Sequence, residues 1–143
     1  MRYLLDTNVV SELRRPRAAP QVTAWARSVP PGHTFISVLV LGEVRAGIER
    51  LRARDPAQAA VYREWLAELR RAFAARTILV DDAIAEDWGS LHASDPIPTV
   101  DGLMAATARV RDMVLVTRNV AHVDRPGVRV LNPWEPPPAQ AGG

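Results

Sequence analysis

Short apolar runs alternate along this chain with longer amphipathic segments, and the clearest runs end in polar residues. Tyr3-Leu4-Leu5 leads into Asp6-Thr7-Asn8, Thr34-Phe35-Ile36 into Ser37, and Val114-Leu115-Val116 into Thr117-Arg118-Asn119. Runs of this length and composition read as buried strands. Strands that alternate with helices pair in parallel and carry helices on both faces. The pattern predicts a three-layer α/β/α sandwich around a central, mostly parallel sheet of four to five strands.

Turn and cap chemistry sets the expected boundaries. Helices are expected over Asn8–Arg14, stopped by Pro16, over Pro20–Ser28, and from a Ser37 N-cap to about Arg54. Further helices are expected from Pro56 to about Arg76, over Asp82–His92, and from a Thr99 cap to about Arg111. Thr77–Val80, Met113–Thr117 and Val128–Leu131 supply the remaining strands. In the Pro56 helix, Val61, Trp65, Leu69 and Phe73 recur every four residues and predict one apolar stripe. The 143 residues suit one domain over 1–134, followed by a Pro-, Ala- and Gly-rich flexible tail over 135–143. No repeat and no second domain is visible.

Composition removes several classes of function. All 18 basic residues are Arg, and Lys and Cys are absent. Without Lys there is no Walker A loop and no Schiff-base or pyridoxal phosphate chemistry. Without Cys there is no disulfide and no thiolate metal site. No G-x-G-x-x-G follows the first strand, which argues against a dinucleotide site. No apolar run reaches the ~20 residues of a membrane span, and no secretory leader is evident. A cytoplasmic protein that avoids the membrane is expected.

Three acids stand out. Asp6 closes the first strand, at the edge where open parallel sheets bind ligands, although Asp is also a favoured helix N-cap. Glu43 sits inside a helix with Leu39, Val40, Ala46 and Gly47 as its turn neighbours, so no helical ion pair supports it. It is expected to be buried or to line a cleft, where a carboxylate needs a partner such as a metal, a backbone group or an Arg. Asp101 lies in a first helical turn, where the helix dipole alone also favours an acid. If the strands before Asp6 and Glu43 are central, all three acids converge at one sheet edge. Clustered hard oxygens of this kind suit Mg²⁺ or Mn²⁺. Thr117 and Asn119 at the same edge could orient metal-bound water, and Arg118 could meet a phosphate or pair with an acid.

Leu4-Leu5-Asp6-Thr7-Asn8, Ile36-Ser37 through Gly42-Glu43, Asp101 through Ala108, and Val116-Thr117-Arg118-Asn119 together resemble the ordered motifs of PIN domains. The resemblance is nearest to VapC-type toxins of toxin–antitoxin pairs, and within them to the FitB-like branch. Ser11-Glu12-Leu13 and Leu131-Asn132-Pro133-Trp134 strengthen that placement, which covers Met1 to Trp134.

The resemblance implies a Mg²⁺-dependent ribonuclease, with Mn²⁺ as the alternative ion. Asp6, Glu43 and Asp101 become metal ligands and catalytic residues, Asn119 joins the catalytic set, and Thr7, Asn8 and Thr117 support them. Where relatives carry a fourth acid, this chain has Asn119 and His122, with Asp124 slightly beyond. His122 is expected to be a partly exposed, hydrogen-bonded loop residue rather than a substitute ligand, since imidazole prefers softer ions. An Arg-lined rim would contact RNA phosphates, with Arg14, Arg15, Arg17, Arg45 and Arg118 as candidates. The implied partners are a VapB/FitA-like antitoxin, an RNA substrate, operator DNA reached only through the antitoxin, and a second copy in a homodimer. Haloacid dehalogenase-type phosphatases and receiver domains also place an Asp after the first strand, but both need a Lys, and the former a second Asp where Asn8 stands. The surviving alternative is a catalytically weak protein that mainly assembles with its antitoxin on operator DNA.

Overall fold

The computed structural model describes residues 1–136. Five strands form one all-parallel sheet: β1 (Tyr3–Leu5), β2 (Thr34–Ser37), β3 (Thr77–Ile78), β4 (Val114–Val116) and β5 (Arg129–Leu131). Their order is β3-β2-β1-β4-β5. β1 is central: Tyr3 and Leu4 register with Thr34 and Phe35 of β2, while Tyr3, Leu4 and Leu5 register with Val114, Leu115 and Val116 of β4. The chain winds outward from β1 through β3, then returns to lay β4 on the other side of β1. That reversal creates a switch point between the carboxyl ends of β1 and β4, where a parallel sheet leaves a crevice.

The connecting helices are α1 (Thr7–Arg14), α2 (Pro20–Ser28), α3 (Val38–Arg52), α4 (Pro56–Ala72), α5 (Asp82–Ser94), α6 (Thr99–Val110) and α7 (Val120–Val123). α3 packs on α4, and α1 touches both α2 and α3; α6 packs on α5 and touches α7. These two groups form the outer layers of the predicted three-layer sandwich. Leu4, Ile36, Leu115 and Val116 of the sheet are buried with Val9, Val40, Ile48, Ile84 and Met104 of the helices. Each fully buried aliphatic side chain of this kind contributes about 1.5–3 kcal/mol. Trp25 meets Tyr3 edge-on, ring centroids 5.3 Å apart, as a core flank. Among the described residues, no helix is long and apolar enough to cross a membrane.

Local signals placed most helix starts. Ser37 Oγ accepts from the Leu39 amide at 3.1 Å, Asp55 caps α4 through the Gln58 amide, and Asp81 caps α5 through the Ile84 amide. Thr99 does not cap α6 as expected: it is the first helical residue, behind Pro98, and the helix has no side-chain cap bond. α4 ends at Ala72 rather than Arg76. There the chain turns so that the Arg76 guanidinium donates to the Thr34 carbonyl at 2.6 Å and the Arg76 carbonyl accepts from Ile36, which launches β3. β3 is correspondingly only two residues long.

The expected stripe on α4 holds from Trp65 onward and fails at Val61. Val61 is 48% exposed, and the buried residues are Ala59, Leu66 and Leu69, with Trp65 and Phe73 partly buried. α7 was not expected; four residues are too few to show a period. The expected tail over 135–143 lies outside the described residues from 137 onward. Before it, Pro133 is buried and the Trp134 amide donates to Asn132 Oδ1 at 3.0 Å.

Candidate active site

The carboxyl ends of β1 and β4 bring Asp6 and Thr117 into contact across 111 positions of sequence. The Thr117 hydroxyl donates to Asp6 Oδ2 at 2.7 Å, and the Thr7 amide donates to Asp6 Oδ1 at 2.7 Å. Asp6 thus occupies the N-cap position of α1 while one edge of its carboxylate faces the switch point. The two sequence readings of this residue are compatible. Asn8 reinforces the pair: its amide nitrogen reaches Asp6 Oδ2 at 3.4 Å and Thr117 Oγ1 at 3.3 Å, and its oxygen accepts from the Arg118 amide at 3.4 Å. The Asn119 amide donates to Thr117 Oγ1 at 3.1 Å, so one hydroxyl ties the ends of both central strands together.

Glu43 arrives from α3, whose start is fixed by the Ser37 cap at the end of β2. Its Oε1 accepts from the Thr7 hydroxyl at 2.5 Å, and it lines a pocket between α1, α3 and α4, as its apolar helical surroundings predicted. Asp101 stands in the first turn of α6. The close seating of α6 on α5 sets its position: a Cβ on Gly102 would lie 2.9 Å from the Trp88 ring and 3.1 Å from Ile97. Only glycine permits that approach.

The electrostatics follow from burial. Asp6 is 9% exposed, and burial raises its pKa above the ordinary 3.8; the bonds from Thr117 and Thr7 oppose the shift, and nearby Asp101 adds to it. Burial also raises Glu43 above 4.5, opposed by the Thr7 hydroxyl and the Arg50 charge and reinforced by Asp6 and Asp101. The three carboxylates therefore repel one another. Among the described residues, neither Asp6 nor Glu43 is in an ion pair; Asp101 has only the His122 ring, with Nδ1 3.3 Å from Oδ2.

Oxygen-only donors with unneutralised charge match a hard divalent cation. As placed here, however, no three His, Asp or Glu side chains among the described residues stand close enough together to hold one. The Thr7 hydroxyl bonds Glu43 and the His122 ring bonds Asp101. The donor type and charge fit such an ion; the spacing of the side chains as placed does not.

Other predicted residues fall elsewhere. Asn119 is exposed at the head of α7, with only its backbone engaged. His122 is exposed and hydrogen-bonded as expected, but on α7 rather than in a loop, and it reaches Asp101. Asp124 is exposed just past α7.

The Arg candidates for a rim disperse. Arg14 lies over the Tyr62 and Trp65 rings at 4.4 and 5.0 Å, Arg45 pairs with Glu49 at 3.6 Å, and Arg15 pairs with Glu12 at 3.1 Å. Arg17 is exposed. Arg118 lies over the Trp134 ring at 4.9 Å. Glu12, buried in the Ser-Glu-Leu motif, accepts from the Ala19 amide at 3.0 Å, and that bond holds its carboxyl below the usual range. Sequence reading missed Arg50 and Arg54, which line the Glu43 pocket. Arg50 lies 7 positions beyond Glu43, two turns along the same face of α3, and Arg54 lies 11 positions beyond it, just past the end of α3; both are beyond the i±4 neighbours considered.

Fold and site together define an α/β sandwich protein with an oxygen-rich acidic centre at the switch point of its sheet. The chain belongs to the PIN domain family, whose model matches residues 3–126. The similarity is to the VapC/FitB-like toxins of that family. The chain is 28% identical over 136 residues to Toxin FitB of Neisseria gonorrhoeae, covering 92% of this chain and 97% of that protein. It is 28% identical over 139 residues to VapC ribonuclease Y4jK of Sinorhizobium fredii, covering 93% and 98%. The structure of FitAB bound to an IR36 DNA fragment superposes with a TM-score of 0.83 at 30% identity, covering 94% of this chain and 97% of that one.

Proposed function

We propose that this protein is a metal-dependent endoribonuclease that acts as the toxin of a toxin–antitoxin pair. The observation that carries the reading is Asp6, buried without a cationic partner among the described residues at the switch point of the sheet and held there by Thr117 and Thr7, with Glu43 tied to the Thr7 hydroxyl beside it and Asp101 near enough to act on both charges. A structural carboxylate is normally paired with a cation when buried; a cluster without one suits an ion brought by function. Mg²⁺ or Mn²⁺, when bound, would polarise a phosphate oxygen and acidify water.

Asp6 and Asp101 would hold the ion, and Glu43 would hold it or position the attacking water. Thr117, Thr7 and Asn8 fix the carboxylates, and Asn119 offers a neutral amide where a fourth acid would add charge. The partners proposed are a VapB/FitA-like antitoxin, operator DNA through that antitoxin, and a second copy of the chain. The complexes formed by the structural neighbours support the antitoxin and DNA assignments.

The test is cleavage of labelled RNA, first mixed tRNA and ribosomal RNA, with Mg²⁺ and with EDTA. Cleavage that EDTA abolishes is the expected result. A folded protein that leaves RNA intact with either Mg²⁺ or Mn²⁺ refutes the reading in favour of an assembly role.

A further inference from the structure

We infer that the pocket between α1, α3 and α4 receives one unpaired nucleotide of a single-stranded RNA beside the acidic centre. The inference rests on the proposed nuclease reading and extends it to how substrate is chosen. The pocket has a volume of about 340 Å³, within the ~300–1,000 Å³ range of small-ligand sites and at its lower end. Thr7 and Glu43 are among its lining residues, so it adjoins the acidic centre through Glu43.

Its other walls differ in chemistry from these two residues. Tyr62 and Trp65 bring two rings, 6.1 Å apart and edge-to-face; Arg14, which does not line this pocket, lies over one face of each. Arg50 and Arg54 bring two exposed guanidinium groups, and neither takes part in an ion pair among the described residues. Aromatic faces beside unpaired Arg charges are the means by which proteins hold single-stranded nucleic acid: bases stack, and phosphates meet the cations. A base within a duplex presents no free face to such a wall. The charge complementarity favours a polyanion over an apolar peptide segment.

Gly47 gives a clean probe. It lines the pocket in the middle of α3, and a Cβ there would meet no atom within 4 Å. A side chain added there starts into open space, so Gly47→Leu is expected to occupy pocket volume, and it replaces a poor helix former with a good one. Binding of a fluorescein-labelled single-stranded RNA is measured by anisotropy in EDTA, and cleavage of the same RNA with Mg²⁺. Gly47→Leu should weaken binding and raise KM about tenfold, as expected for the loss of one stacked base, with kcat nearly unchanged and melting temperature equal or higher. Arg50→Gln/Arg54→Gln, both on the surface, should weaken binding in the same direction and flatten its salt dependence.

Wild-type cleavage with unchanged KM in both variants overturns the pocket assignment and leaves the nuclease reading standing. Loss of co-purification with the antitoxin in Gly47→Leu, at unchanged RNA KM, assigns the pocket to the protein partner and also overturns it. Absence of wild-type cleavage defeats both readings.

Discussion

Thr117→Val isolates the contact on which the acidic centre is built. The substitution keeps the shape of a fully buried side chain and removes the hydroxyl that donates to Asp6 Oδ2 at 2.7 Å. A hydrogen bond to an ionised group is worth about 1.5–3 kcal/mol net, and one to a neutral group about 0.5–1.5. The added methyl returns about 0.8 kcal/mol of burial. With Asp6 protonated, the two contributions nearly cancel. With Asp6 ionised, the variant loses roughly 1–2 kcal/mol.

The sign of the pH dependence follows from the raised pKa of Asp6. The native carboxyl binds its proton more tightly than the unfolded one, whose value is 3.8, so the stability it contributes is present below 3.8 and is lost as pH rises through the folded value. Removing the Thr117 bond raises the folded value further, and the variant loses more stability across that window. Urea unfolding of both proteins between about pH 4 and about pH 8 measures the difference. A destabilisation that is independent of pH, or greater on the acid side, refutes the electrostatic role given to this contact.

Asp6→Asn or Asp101→Asn should lower RNA cleavage at least about 100-fold, since even outer-shell partners of metals cost 10–100-fold, and should abolish growth inhibition while circular dichroism remains native. Full activity in a folded double variant would sink the metal assignment. Asn119→Ala should raise the Mg²⁺ concentration for half-maximal cleavage more than His122→Ala does; the reverse ranking, or activity supported best by Zn²⁺, overturns the role given to the amide. Gly102→Ala should destabilise the fold by about 1–3 kcal/mol through overpacking against Trp88 and Ile97, despite the better helix propensity of Ala, and thermal unfolding reads the result.

The strands and most helix starts were legible because their signals are local. An apolar run followed by Asp6, a serine ahead of α3, and proline at the first position of α2 and of α4 each act within a turn of chain. What eluded the sequence depends on contacts made elsewhere. Arg76 ends α4 because its guanidinium finds Thr34, a residue 42 positions away. Arg14 looked like a free phosphate contact until α4 placed Tyr62 and Trp65 beneath it. The α4 stripe failed only at Val61, because a spacing of four drifts around a helix of 3.6 residues per turn; Leu69 is buried with Ala59 and Leu66, and Trp65 and Phe73 flank them. His122 was read against its sequence neighbours, whereas the residue it touches, Asp101, enters from the start of α6.

The central position of β1 governs when the acidic centre can come into being. Its second neighbour, β4, is more than a hundred residues away, and pairing across such separation is a late, slow event in folding. A nascent chain that has emerged only through β3 carries Asp6 and Glu43 but lacks Asp101, Thr117 and the strand that buries one side of β1. Such a chain has two of the three acids and no hydroxyl to fix the first. Completion of the centre is thus tied to the synthesis of β4, and a chain terminated before β4 carries no finished centre.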